Sequence, residues 1–389
     1  MRIESLDKAL NDVAFDKMMK DNTVKAFLAL VRAGLWEQDV RLLPCEDIEW
    51  HEVYRLATEQ SVLGLVLAGL EHTDLKPPQL LLLHWIGEVQ MIEQRNKAMN
   101  GFVAELIDRL RKEDVYCVLV KGQGVAQCYE KPMWRASGDI DLLLSGDNYQ
   151  KAKDFLIPLA SNVEKEDLNL MHLGMAISSW VVELHGTLRS GLWKKLDGVI
   201  DEAMNEVFYN GSVRSWRNGN TQVFLPRADE DAVFIFFHIL QHFYLEGVGL
   251  RQLCDWCRLI TVYNSTINCN LLESRLKRAG VLSEWCAFAY LAVNTLGMPA
   301  DAMPLYNSSV IWKKKANRVL DFILETGNLG HNREHFNDHK VSFVKRKFLM
   351  LDHITQDFCK YIRIFPKSAV KVWFHMITVG LSGLVRKQS

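Results

Sequence analysis

Apolar residues recur at helical spacing through most of the first 113 positions. In Val24–Leu35, Ala26, Phe27, Leu30 and Val31 share a face and Gly34 closes the run. Trp50–Leu70 repeats the pattern, Pro77-Pro78 interrupts it, and a long amphipathic run extends from Gln79 to about Lys112. At Val115 the period changes. Val115–Val120 is a short unbroken apolar run ending in Lys121-Gly122, as expected of a buried strand. A short helix is expected over Gly124–Glu130, a second strand over Asp139–Leu144 and a helix over Tyr149–Leu159. Two further strands are expected over Met171–Ile177 and Trp180–His185, turning at Ser178-Ser179, then a helix over Leu192–Phe208. Arg214–Leu225 contains Asn218-Gly219, a hairpin signal.

After Pro226 helical spacing returns in Ala232–Leu245, Leu250–Tyr263, Leu271–Leu296 and Ser309–Thr326, and a polar Gly/Asn/His-rich loop follows over 327–340. This order predicts an α+β protein in which a small mixed β-sheet core (114–225) is flanked by an N-terminal helical region (1–113) and a C-terminal one (226–340). A basic amphipathic helical tail (341–389) ends the chain.

Composition narrows this picture. The 389 residues are 49% hydrophobic and 24% charged, which excludes a disordered, collagen-like or disulfide-stapled chain. The net charge of −1 gives no global field for nucleic acid, and no DNA partner is expected. Residues 340–389, however, hold ten Lys/Arg against two Asp, a net of +8, so the preceding 339 residues carry −9. The first residues lack the apolar core of a signal peptide, and the nearest approach to a membrane span, Ser368–Val385, contains Lys371 and His375. A cytoplasmic location is expected, with peripheral contact at the inner membrane face as a variant for the basic tail. Cys254-Asp-Trp-Cys257, with His238 and His242 upstream, loosely resembles a zinc site. Core thiols and helix-face histidines are the preferred reading.

The chemistry concentrates in Lys121-Gly122-Gln123-Gly124 and Arg135-Ala136-Ser137-Gly138-Asp139-Ile140-Asp141. On a strand, residues two apart point to the same face, so Asp139 and Asp141 project together while Ile140 and Leu142 anchor the other face. Two carboxylates this close repel unless a cation lies between them. Mg²⁺, or Mn²⁺, suits such a pair in phosphoryl or nucleotidyl transfer. A chance Asp-x-Asp in a surface loop is the plain alternative, and the leucines that follow argue for a buried strand instead.

These motifs resemble the nucleotidyltransferase superfamily (the DNA polymerase β-like fold). Within it they resemble the family described as uncharacterised nucleotidyltransferases, found with bacterial polysaccharide gene clusters, and the minimal toxin-type enzymes. The resemblance implies that Asp139 and Asp141 ligate Mg²⁺ and that a third acid stands on a later strand, where Glu183 fits. Glu183 would complete the metal site or deprotonate an acceptor. The resemblance also implies an NTP substrate. Lys121, Gly122, Gly124, Arg135, Ser137 and Gly138 would contact it, although Gly-Gln-Gly departs from the usual Gly-Gly or Gly-Ser pair. For Arg135 a structural ion pair, and for Ser137 a plain turn role, are the alternatives. His185, Arg251 and Asp255 are candidates on the acceptor side, with Arg251 and Asp255 alternatively pairing along their helix.

The expected function is Mg²⁺-dependent transfer of NMP from an NTP to an acceptor such as a sugar phosphate or another small molecule. The alternatives are a catalytically silent nucleotide-binding or regulatory protein and a toxin-like enzyme that nucleotidylates protein or tRNA. The basic tail is read first as a helix packed on the acidic body, and otherwise as a contact with anionic lipid or a polyanion.

Overall fold

A computed structural model describes residues 22–42, 48–330, 355 and 357–385. Four helices open the described chain: α1 (22–36), α2 (Trp50–Glu59), α3 (Leu63–Glu71) and the 34-residue α4 (Gln79–Lys112), which starts directly after Pro78. The chain then enters β1 (Cys117–Val120), the short α5 (Gly122–Ala126), β2 (Asp139–Leu144), α6 (Gly146–Leu156) and β3 (Asn162–Val163). The hairpin β4 (His172–Ile177) and β5 (Trp180–His185) follows, then α7 (Lys194–Tyr209) and a second hairpin of β6 (Val213–Asn218) and β7 (Thr221–Pro226). The remaining described elements are helical: α8 (Ala228–Leu245), α9 (Leu250–Tyr263), α10 (Cys269–Ala279), α11 (Leu282–Asn294), α12 (Val310–Thr326), α13 (357–364) and α14 (Pro366–Val385). The fold is α+β, as expected.

The main sheet has the order β1-β2-β5-β4-β3. The β2–β5 pair is parallel, with Asp141 opposite Glu183, and the other pairs are antiparallel. Strand alternation gives the sheet two chemically distinct faces. One face carries Ile140, Leu142, Leu144, Val182 and Leu184 and packs on Met99, Val103, Leu106, Ile107 and Leu110 of α4 and on Tyr149, Ala152 and Leu156 of α6. The long helix α4 therefore belongs to the sheet core through its second half. The opposite face carries Asp139 and Asp141 on β2 and Glu183 and His185 on β5, beside Val118, Val120 and Leu143, which join the larger helical core.

That larger core centres on α8, α9 and α11, where Phe236, Trp256, Trp285 and Phe288 meet at edge-on or stacked angles. Capping chemistry sets local boundaries, as at α10, where the Asn268 side chain accepts from the Leu271 amide and Gly280 ends the helix with φ +75°. Within the basic tail, α13 and the start of α14 are docked. Tyr361, Ile364, Phe365, Ala369 and Val372 are buried in the helical core, and the Tyr361 hydroxyl donates to the Phe243 carbonyl at 2.7 Å. Residues 341–354 of that tail lie outside the described residues. No described helix is long and apolar enough to cross a membrane.

Candidate active site

The polar face of the sheet opens onto a cavity of about 380 Å³, whose opposite wall is α8 and the start of α9. Asp139, Asp141 and Glu183 all line it, because they stand at same-face positions of two neighbouring parallel strands. Lys121 leaves the end of β1 with φ +55°, a backbone conformation that costs a non-glycine residue about 1–3 kcal/mol, and places its Nζ 2.9 Å from Asp141 Oδ1. His185 Nε2 lies 2.8 Å from the same oxygen. His172 Nε2 lies 3.1 Å and His185 Nε2 3.4 Å from Glu183 Oε2.

The electrostatics separate the three acids. The Asp141 carboxylate repels Asp139 and, with burial, raises its pKa. Burial would also raise Asp141, but Lys121 and the His185 hydrogen bond outweigh it and hold Asp141 low. Burial likewise opposes ionisation of Glu183, and hydrogen bonds from His172 and His185 with the Lys121 charge drive it far below the usual carboxylate range. Three carboxylates face one cavity, one of them penalised by its neighbour, and carboxylate oxygens are the donor type that suits Mg²⁺ or Mn²⁺.

The loop before β2 is built to hold this arrangement. Arg135 is buried and donates twice to Asp255, from Nε to Oδ1 and from Nη2 to Oδ2, each at 2.7 Å, and the Tyr129 hydroxyl donates to Asp255 Oδ1 at 2.7 Å. Arg251 Nη1 donates 3.0 Å to the Ala136 carbonyl, so Arg251 and Asp255 do not pair along α9 and instead both grip the 135–136 loop. Asn96 of α4 donates to the carbonyls of Met133 and Arg135 at 2.7 Å. The glutamine of Gly-Gln-Gly is turned inward, with Gln123 Nε2 2.9 Å from Asn96 Oδ1. It supports the loop and does not face the cavity.

The predicted residues divide accordingly. Lys121, Gly122, Arg135, His185, Arg251 and Asp255 join the three acids around the cavity. Gly124, Ser137 and Gly138 do not line it. Gly124 is buried in α5, where an added Cβ would lie 2.7 Å from Leu225 Cδ2, and Ser137 accepts from Arg135 Nη1 at 2.8 Å. Gly138 is exposed, with nothing within 4 Å of the position a Cβ would take.

Two groups were absent from the predicted site. His172 reaches it by facing His185 across the hairpin. His238 and His242 of α8 line the far wall with their Nε2 atoms 2.9 Å apart, and His242 Nδ1 is 2.9 Å from Glu246. Burial and the nearby Lys121 cation hold His238 well below the ordinary imidazole range. Cys254 and Cys257 are buried within α9, where burial pushes their thiols up, and both belong to the larger hydrophobic core.

The model of the family described as "Uncharacterised nucleotidyltransferase" matches residues 46–297. That span includes α2 to α11, the whole sheet and every residue of the cavity named above. No curated protein and no solved structure matches the chain.

Proposed function

Because the chain belongs to the uncharacterised nucleotidyltransferase family, we propose that it moves NMP from an NTP to an acceptor hydroxyl or phosphate bound against α8, in a reaction that depends on Mg²⁺ or Mn²⁺. The observation that carries this reading is the convergence of Asp139, Asp141 and Glu183 with Lys121 on one wall of a single cavity. Asp139, Asp141 and Glu183 would hold the divalent ion, which supplies charge neutralisation on the phosphates. Lys121 brings a cation to that wall and Arg251 brings one to the facing wall at the start of α9, and the Lys121-Gly122 turn lets the backbone approach a phosphate closely.

The acceptor proton needs a base. Glu183 is a poor one, since its hydrogen bonds and neighbouring charge favour the ionised form. The His238–His242 pair suits the task better, because His238 is kept neutral near pH 7 by burial and Glu246 orients His242 from its other ring nitrogen. Replacing His238 by Ala is expected to lower kcat by roughly 10²-fold and to leave NTP affinity unchanged, read by steady-state rates beside direct nucleotide binding. A loss of NTP binding with kcat preserved would remove the pair from the acceptor side.

For the basic end, docking of α13 and the start of α14 supports packing. Contact with anionic lipid would use the outward-facing Lys367, Val370 and Phe374. Equal pelleting on anionic liposomes with and without residues 366–389 would remove the lipid reading. The proposed activity itself is tested by incubating the chain with each of the four NTPs, labelled at the α-phosphate, and small-molecule, RNA and protein pools. Mg²⁺-dependent transfer of label to one pool is the expected result, and label transferred to none overturns the reading.

A further inference from the structure

The wall that carries the carboxylates also carries nitrogen donors. His172 and His185 are cross-strand partners on β4 and β5, their ring centroids 4.8 Å apart and their planes 30° from parallel. His172 Nε2 lies 3.1 Å from Glu183 Oε2, and His185 Nε2 lies 3.4 Å from that same oxygen and 2.8 Å from Asp141 Oδ1. One donor atom from each of the three residues lies within 4.8 Å of the others, and among the described residues this is the one group of three His, Cys, Asp or Glu side chains so placed. Ligands about 2.0–2.2 Å from a metal stand roughly 3.0–3.5 Å from one another in tetrahedral or octahedral shells. Both Nε2–Oε2 separations fall in that range. The backbone that sets them is a paired hairpin, and His172, Glu183 and His185 all border the open cavity, which gives an ion a route in.

We propose that His172, His185 and Glu183 form a second divalent-cation site, adjoining the Asp139–Asp141 pair and selective for a borderline transition-metal ion (Mn²⁺, Co²⁺ or Zn²⁺) over Mg²⁺. The donor chemistry sets the selectivity. Mg²⁺ takes oxygen ligands and keeps its waters, whereas imidazole favours the later first-row ions and affinity rises from Mn²⁺ to Co²⁺ and on to Zn²⁺. Glu183 is the ligand the two sites share. The inference goes beyond nucleotidyl transfer and does not need it, because the site is complete without nucleotide.

The test uses the untagged full chain, stripped with EDTA and titrated with Co²⁺ in the absence of any NTP. One tight equivalent is expected, with the visible ligand-field absorption of a site containing nitrogen donors. Zn²⁺ displaces it, and millimolar Mg²⁺ does not. His172→Ala weakens Co²⁺ binding at least about tenfold, while Asp139→Asn leaves it unchanged. Co²⁺ binding by His172→Ala equal to that of the wild type, or abolished as fully by Asp139→Asn, overturns the proposal. A second readout needs no variant: one equivalent of Zn²⁺ shifts the His172 and His185 ring resonances of the wild-type chain, and rings that do not respond overturn it equally.

Discussion

In the double variant Asp139→Asn/Asp141→Asn, Mg²⁺-dependent NTP turnover falls by about 10³-fold or more. The estimate follows from charge. A divalent ion held on the transferring phosphates is worth several kcal/mol of transition-state stabilisation, and about 4 kcal/mol corresponds to roughly 10³ in rate. The two asparagines keep the size of the side chains and remove both charges that would hold the ion. Turnover unchanged across all four NTPs would sink the metal-dependent reading.

The single variants separate catalysis from folding. Asp139 carries a raised pKa, from Asp141 first and burial second. Between its unfolded and folded values the native state binds more protons than the unfolded state, so stability falls as pH rises through that interval. Removing the charge with Asp139→Asn is therefore expected to leave Tm in EDTA at neutral pH no lower than that of the wild type, and to remove the rise in Tm with Mg²⁺ that is expected of the wild type. Asp141 behaves oppositely. It is held low by Lys121 and His185, so Asp141→Asn strands the Lys121 ammonium, weakens the hydrogen bond to His185 and lowers Tm. Thermal scans with EDTA and with Mg²⁺ read both effects.

The parts of this site that follow a local period were legible in the sequence. The shared face of Asp139 and Asp141 followed from strand alternation, Glu183 was reached through the family resemblance, and the structure sets Asp141 directly opposite Glu183. His172 was legible in principle. A two-residue turn at Ser178-Ser179 that pairs Ile177 with Trp180 also pairs His172 with His185, so the turn alone carries that histidine to the site. His238 and His242 were not legible, because helical spacing cannot distinguish a face turned to a core from one turned to a cavity, and their neighbours Phe234 and Ile235 line the same wall. Gln123 misled in another way, since its partner Asn96 lies 27 residues upstream on α4 and no local pattern joins the two. Strand β3 escaped because Asn162 and Val163 are both exposed and only two residues long.

Asp255→Ala is expected to cost about 3–5 kcal/mol of unfolding free energy in urea titrations, the scale of breaking a buried ion pair. Its carboxylate receives both arms of Arg135 and the Tyr129 hydroxyl, and its loss leaves a guanidinium with 4% side-chain exposure without its counter-charge. The double variant Arg135→Met/Asp255→Leu should recover most of that loss, because apolar groups can replace a buried pair at little net cost. Turnover then separates the two roles open to Arg135, which borders the cavity while being fully paired. A cation that serves the phosphates is missing from the double variant, so turnover stays low although stability returns. If turnover returns together with stability, Arg135 acts only by fixing the 135–138 loop that presents Asp139, and the phosphate charge is met by Lys121 and Arg251 alone.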